Sequence, residues 1–599
     1  MPTTDEVRQR ITSVNPPLMA DIDRDGAIGD GDVAAYLGGK VFRFWTNEDV
    51  HKGDYVGQVA DTTPNTADLV VNGRLDLVNL FPVKLSLKPL IDAWPSATFR
   101  LRAGNNRLRF CGADVSPSAA GTIQTADIYV KNANPQSSPT LLSAAALTPV
   151  TNAGVAIDPA TYLGGNNAPG VLAFEAANEV WEGNSPELLV DVNGETLFRF
   201  KFPMAIDRVR NMYSWIGARH LSGEADYRNS VYHRIWDDDS LKSCVFFHGA
   251  NVSGADAQSW SDAVFKRLWL SGAKMEFYSV DWRSDIGGPA NYHQNASNAF
   301  VVASQLASTI NAIPGDKVMI AHSLGNMVVS SMIQDYGLVP DCYLMCNSAV
   351  PAEAYDLSIA IRVPQLVHSD WVDYPTNSWV SSWHALFMND FEDDRKYLGW
   401  PGRFSNVARY AVNFYSAGEN GGDEILQMYN RNDIGRTTGV SDSWGHYSWH
   451  KQEIFKGRGG IGGTDWSGWN VDENIFGWNR IQLSEALQMA DADFKTNTVF
   501  CCYPSSMNAK NIPLLVRGAH LAQGIPALTP STGVTDLSDV LESENSFNLN
   551  VQGGDMAFPN NWPQRSTYPN RWLHSDMKDV AFYFNFKFYE TVIEKGDLR

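Results

Sequence analysis

The chain has 599 residues, 44% apolar and 19% charged, too long for a single hydrophobic core and too apolar for a disordered segment. Its 47 basic and 67 acidic side chains leave a net charge of −20, which argues against a phosphate backbone as partner. Six cysteines with no Cys-x-x-Cys exclude a disulfide scaffold and give no support to a zinc or thioredoxin-like motif, and Cys342 and Cys346 read as core residues.

The opening "MPTTDEVRQRITSVNPP" has no apolar h-region, so no signal peptide is visible. No apolar run reaches about 18 residues, so no transmembrane segment is expected. Localisation stays open, with a secreted or cell-envelope form that has lost a leader among the alternatives.

The segment "DIDRDGAIGDGD" (21–32) comes next. Asp21, Asp23 and Asp25 fall at positions 1, 3 and 5, Gly26 at 6, Ala27 at 7 with its carbonyl, and Asp32 at 12. This pattern resembles an EF-hand loop, or the dockerin variant with Asp at 12, and the resemblance implies a structural calcium ion held by carboxylate and carbonyl oxygens. The flank "GGKVFRFW" reads as strand, so the loop is expected in a β context without clear flanking helices. A solvated acidic turn is the competing reading.

Residues 1–200 are expected to be β-rich. "KVFRFWTN", "ATFRLRA", "TADIYVKN" and "GETLFRFKFP" are short alternating runs between Gly, Pro, Asn and Asp turns. Residues 132–154 read as a linker or long loop. From Ser243 the pattern changes to strands alternating with helices: "SCVFF", then a helix over 260–271, a strand over 274–280, a helix over 295–313, the strand "KVMI" (317–320), a helix from Gly325 and the strand "DCYLMCN" (341–347). That alternation implies a parallel sheet covered on both faces. Residues 352–408 and 424–510 break it and are rich in Trp, Tyr and His.

At "KVMIAHSLGNMVVSS" (317–331) a serine stands between a strand and a helix, with Ala321 and Gly325 two residues to either side. A sharp strand-to-helix turn requires small residues there. His322-Ser323-Leu324-Gly325-Asn326 resembles the nucleophile elbow of lipases and esterases of the α/β-hydrolase superfamily. The resemblance implies Ser323 as nucleophile, with one oxyanion donor at the N–H of Leu324. The other would come from "HGANVSG": His248-Gly249 directly follows a strand, and Gly249 would aim the N–H of Ala250 or Asn251 into the crevice. His248 is then a motif residue and not the base.

Chain order in that superfamily runs Ser, then acid, then His. The acid is expected after the strand Tyr410–Tyr415, with Glu419 chosen and Asp423 the alternative. His574, before a long C-terminal amphipathic segment, is the expected base, with His520 the alternative.

The expected fold is therefore α/β: an α/β-hydrolase domain (206–599) with large Trp-rich cap or lid insertions at about 352–408 and 424–510, preceded by a β-rich domain (1–205) carrying the calcium loop. The expected function is hydrolysis of a carboxylic ester, hydrophobic or polymeric, with no organic cofactor and no nucleic-acid partner. A serine peptidase or amidase on the same fold, and a calcium-dependent binding protein with a non-catalytic hydrolase scaffold, are the competing readings. Oligomeric state and substrate identity are left open.

Overall fold

The computed structural model describes residues 15–47, 77–130, 147–231, 242–286, 292–348, 410–415, 549–550 and 576–599, apart from a few scattered positions. Glu419, Asp423, His520, His574 and the two expected insertions lie outside the described residues.

Among the described residues the N-terminal part builds two larger antiparallel sheets and two two-stranded ones. Strands β1 (Leu18–Met19), β2 (Ala27–Ile28), β3 (Phe42–Trp45), β4 (Leu80–Leu85), β5 (Thr98–Arg102), β6 (Leu108–Ala113), β7 (Ile123–Gln124), β8 (Thr148–Pro149), β9 (Val155–Ile157), β10 (Gly170–Ala176), β11 (Glu187–Val192), β12 (Glu195–Lys201) and β13 (Met204–Asp207) follow one another. One sheet has the order β1-β4-β10-β6-β8 and the other β12-β11-β5-β9. On β12 burial alternates, as on a sheet with one wet face. Every residue of β10 is buried, because that strand lies inside the core.

Two local expectations are corrected. "TADIYVKN" contains a helical turn, α2 (Asp127–Val130), after the short strand β7, and not a strand. The acidic loop runs directly into helix α1 (Asp30–Leu37), so its C-terminal flank is helical. Asp30 and Asp32 in its first turn suit the positive helix end, Ala34-Ala35 favour helix, and Gly38-Gly39 stop it. The 205/206 boundary falls inside β13, which pairs in parallel with β3.

Among the described residues the second part is a seven-stranded sheet. Its strands are β14 (Ser214–Gly217), β15 (Lys242–Phe247), β16 (Met275–Asp281), β17 (Lys317–His322), β18 (Cys342–Cys346), β19 (Tyr410–Tyr415) and β20 (Leu549–Asn550), in the order β14-β16-β15-β17-β18-β19-β20. Every pairing is parallel. Helices α3 (Gly254–Leu270), α4 (Tyr292–Asn311) and α5 (Gly325–Tyr336) connect the strands, and α6 (Asp576–Asp579) and α7 (Phe582–Gly596) follow the last one.

Helix α3 joins the two parts. A surface helix shows one apolar stripe, but 14 of the 17 residues of α3 are buried. One side packs on the sheet and the other meets the N-terminal strands. Phe81 touches Phe44 (4.8 Å), Phe44 stacks on Trp45 (3.8 Å), and Trp45 meets Phe265 (6.2 Å) and Trp269 (6.1 Å) edge-on. The buried charges on α3 have partners: Tyr213 donates to Asp262 (2.7 Å), Lys266 donates to Asn79 Oδ1 (2.9 Å), and Arg267 donates to the Lys578 carbonyl (3.2 Å). The core is continuous across both parts.

Candidate active site

Strand β17 ends at His322, and α5 begins at Gly325. Ser323 lies between them with φ 54°. A left-handed backbone costs an ordinary L-residue roughly 1–2 kcal/mol, so the turn must be held by its surroundings. Asn326 holds it. Its Nδ2 donates to the carbonyls of Ala321 (3.0 Å) and Ser323 (3.0 Å), and its Oδ1 accepts from the Tyr343 hydroxyl (2.9 Å). The Ser323 N–H donates to the Cys346 carbonyl on β18 (3.0 Å). Asn326 was part of the motif by position only. Its supporting role depends on β18, which sequence order does not bring near.

The small residues of the bend follow from contacts. A Cβ on Gly325 would lie 2.6 Å from the His248 carbonyl oxygen and 2.7 Å from that of Phe247. The start of α5 therefore presses on the end of β15. A Cβ on Gly249 would lie 2.6 Å from Ser323 Cβ and 3.1 Å from Ser323 Oγ. The glycine loop after β15 and the serine are thus side by side.

His248 is fully buried. Its Nε2 accepts the backbone N–H of Trp282 (3.3 Å), so the ring proton sits on Nδ1, which donates to the Gly249 carbonyl (3.0 Å). Both ring nitrogens are engaged inside the fold, with Asp281 Oδ1 3.8 Å from Nε2. His322 is also buried and meets Trp260 edge-on at 5.0 Å.

The Asn251 N–H, one of two alternatives for the second oxyanion donor, donates to the Ser284 carbonyl (2.6 Å). Among the described residues the N–H groups of Ala250 and Leu324 have no acceptor, and Ser323 Oγ has no hydrogen-bond partner.

The acidic loop forms a separate cluster. Oxygens of Asp21, Asp23 and Asp25 lie within 4.8 Å of one another. Asp32 is not in that trio. Its carboxylate accepts the N–H groups of Ile22 (2.5 Å), Asp23 (3.2 Å) and Gly29 (2.8 Å), closing the loop. Burial, then the neighbouring Asp32, raises the Asp21 carboxyl well above the usual range, and burial pushes Asp32 up to about 7. A site that so disfavours uncompensated negative charge, with hard oxygen donors, suits a divalent cation of the calcium class. Gly26, at φ 87°, allows the turn. Arg24 extends from the loop over the Trp269 ring (3.3 Å) and donates to the Ala273 carbonyl. The loop is thereby seated on the C-terminal end of α3.

A model of the Alpha/beta hydrolase family matches residues 244–438, which start on β15 and include the elbow. No curated protein matches the chain. A solved structure described as "Lipase (Open form)" is similar at 16% identity over 26% of this chain, with a TM-score of 0.13. The matched stretch spans 50% of that chain's length, and at this score the likeness carries no argument. Among the described residues no helix is long and apolar enough to cross a membrane.

Proposed function

We propose that the protein is a serine hydrolase cleaving carboxylic esters through an acyl-enzyme on Ser323. The observation that carries this reading is Ser323 itself: a left-handed residue at a parallel strand-to-helix turn, its Oγ beside Gly249, flanked by the acceptor-free N–H groups of Leu324 and Ala250. Those two N–H groups are the oxyanion donors of the proposal, because the Asn251 N–H is committed to Ser284.

The base of the proposal is His574. Strand β20 is parallel to β19, so the chain leaves it at the same edge of the sheet as Ser323. His574 is the one histidine between β20 and the end of the sequence. Two residues after it, α6 begins. Lys578 in α6 lies over the Trp260 ring (4.0 Å), and Trp260 touches His322 beside the nucleophile. This supports His574 over His520, which precedes β20. Glu419 follows β19 by four residues and is the proposed acid, with Asp423 the alternative. Strand spacing puts the end of β19 about 10 Å from that of β17, a gap a loop carboxylate and an imidazole can bridge.

In this mechanism His574 takes the Ser323 Oγ proton as Oγ attacks the ester carbonyl carbon. The oxyanion is held by the N–H groups of Leu324 and Ala250. Collapse breaks the ester C–O bond, and His574 gives its proton to the departing alkoxide oxygen. Water then repeats the sequence and releases the acid. Glu419 orients the imidazole and stabilises its charged form. Calcium at Asp21, Asp23 and Asp25, with the Ala27 carbonyl and Asp32 as further donors, is proposed as a structural ion.

The test is hydrolysis of p-nitrophenyl esters of graded chain length by the wild type, Ser323→Ala and His574→Ala. Both variants are expected to lose several orders of magnitude in kcat. Loss in Ser323→Ala alone would move the base to His520. An inert wild type, with and without calcium, would favour the peptidase or binding readings.

A further inference from the structure

The glycine loop that would supply the oxyanion donor is inherently soft. Gly249 has no Cβ to restrict it, and Asn251 is itself left-handed at φ 57°. A donor is effective only when held within about 0.5 Å of its working position. Something outside the loop must hold it.

The residues leaving β16, Asp281 to Asp285, lie directly behind it. Trp282 is fully buried and stacks on the His248 ring (5.7 Å, 13°). Both of its N–H groups go to His248. The backbone N–H donates to Nε2, and the indole Nε1–H donates to the His248 carbonyl (3.0 Å). That carbonyl is the same oxygen against which Gly325 is packed. The next peptides are tied down in turn. His248 Nδ1 holds the Gly249 carbonyl, the Ser284 carbonyl takes the Asn251 N–H, and Ser284 Oγ takes the Val252 N–H (3.2 Å). Arg219 donates to the Val252 carbonyl (3.2 Å), its charge balanced by Asp281 (3.4 Å), Asp285 (2.6 Å) and Glu224 (3.0 Å). Of the N–H groups of Ala250, Asn251 and Val252, only that of Ala250 has no acceptor among the described residues.

We propose that Trp282 is a positioning residue for catalysis: its two N–H groups fix the His248 ring and carbonyl, and so the peptide plane that leads to the Ala250 donor. The proposal rests on the ester-hydrolase reading above. Trp282 touches no reacting atom. It acts through His248 and Gly249.

Trp282→Phe keeps an aromatic ring and the backbone N–H, removes the indole donor, and leaves a smaller side chain at a fully buried site, which is why a stability control accompanies it. The assay is steady-state hydrolysis of a p-nitrophenyl ester, with the rate of Ser323 labelling by a p-nitrophenyl phosphonate, whose tetrahedral adduct uses the same oxyanion donors. Losing a whole oxyanion donor costs about 10²–10³ in rate, which bounds the effect from above. The expected result is a kcat lower by about 10–10², a KM within about twofold, and a labelling rate lower by the same factor as kcat. Ser185→Ala is the control for stability. It removes a buried hydroxyl of the N-terminal part that accepts the Met204 N–H (3.0 Å) and donates to the Met204 carbonyl (3.3 Å), away from the loop. It is expected to lower Tm without changing kcat. Wild-type kcat in Trp282→Phe, or an equal kcat loss in Ser185→Ala at the same Tm, would overturn the positioning role and leave the hydrolase reading standing. A wild type that neither turns over ester nor is labelled at Ser323 would overturn both.

Discussion

A methyl group on Gly249 would sit 2.6 Å from the Cβ of Ser323, closer than two carbons can approach. The two loops that would form the reaction centre are therefore in mutual contact, and the missing side chain of one makes room for the serine of the other. Gly249→Ala must push one of them away. Expected is a loss of about 10² or more in kcat, since the donor beside the serine moves with the loop. Tm is expected to fall only slightly, because the loop is already tied to Ser284 and Arg219. Parallel measurement of ester turnover and thermal unfolding checks this. Wild-type turnover would show that the loop can relax without moving the donor.

Asn326→Asp replaces a donor amide with a carboxylate facing the carbonyls of Ala321 and Ser323. The side chain keeps its shape, but two hydrogen bonds become repulsions at a fully buried site. Expected is a destabilisation of about 2–4 kcal/mol, read from the denaturant midpoint. Activity at temperatures where the variant stays folded should also drop, because the left-handed serine loses its main support. An unchanged midpoint would show that the Tyr343 and Cys346 contacts suffice.

Calcium is expected to raise Tm. A ligand at about 100 times its Kd stabilises the folded state by about 2.7 kcal/mol. The comparison is unfolding in excess calcium against unfolding in a chelator, for the wild type and for an Asp23→Asn, Asp25→Asn double variant. The wild type should gain and the variant should not. Identical transitions of the wild type in both solutions would remove calcium from the description and leave the loop as an acidic turn docked through Arg24.

Residues 208–599 expressed without the N-terminal part should not give a soluble, cooperatively folding hydrolase. Phe265 and Trp269 of α3 lose Trp45, Trp269 loses Arg24, and Lys266 loses Asn79. Size-exclusion chromatography and thermal unfolding of the truncated chain test this. A monomer with a sharp transition would mean that the two parts fold independently.

Much of the parallel sheet was legible because its strands are short apolar runs at regular intervals. Tyr410–Tyr415 is a strand with the expected bounds. The elbow was legible because Ala321 and Gly325 bracket Ser323 at the spacing a tight turn imposes. Strand β14 was missed: four residues, "SWIG", are too few to show a pattern, and its place at the sheet edge comes from pairing with β16. The helix after the acidic loop was missed because the strand signal of "KVFRFW" overrode the Ala-rich turn before it. The supporting roles of Asn326 and Trp282 left no trace in sequence. They arise from hydrogen bonds to residues 20 and 34 positions away, which only the folded sheet brings within reach.

Helix α7 comes after every described strand and packs on the sheet, with Phe588 against Phe414 of β19 at 5.1 Å. Just beyond it the Leu598 carbonyl accepts the Lys274 N–H (2.6 Å), and Asp597 pairs with Lys242 (2.7 Å) at the start of β15. During synthesis, then, the strands emerge from the ribosome long before the helix that covers one of their faces. Both that cover and the proposed base at His574 emerge after all of the described strands. A nascent chain would hold its serine elbow and its glycine loop while still lacking the means to use them, so the onset of catalysis would coincide with the sealing of the sheet.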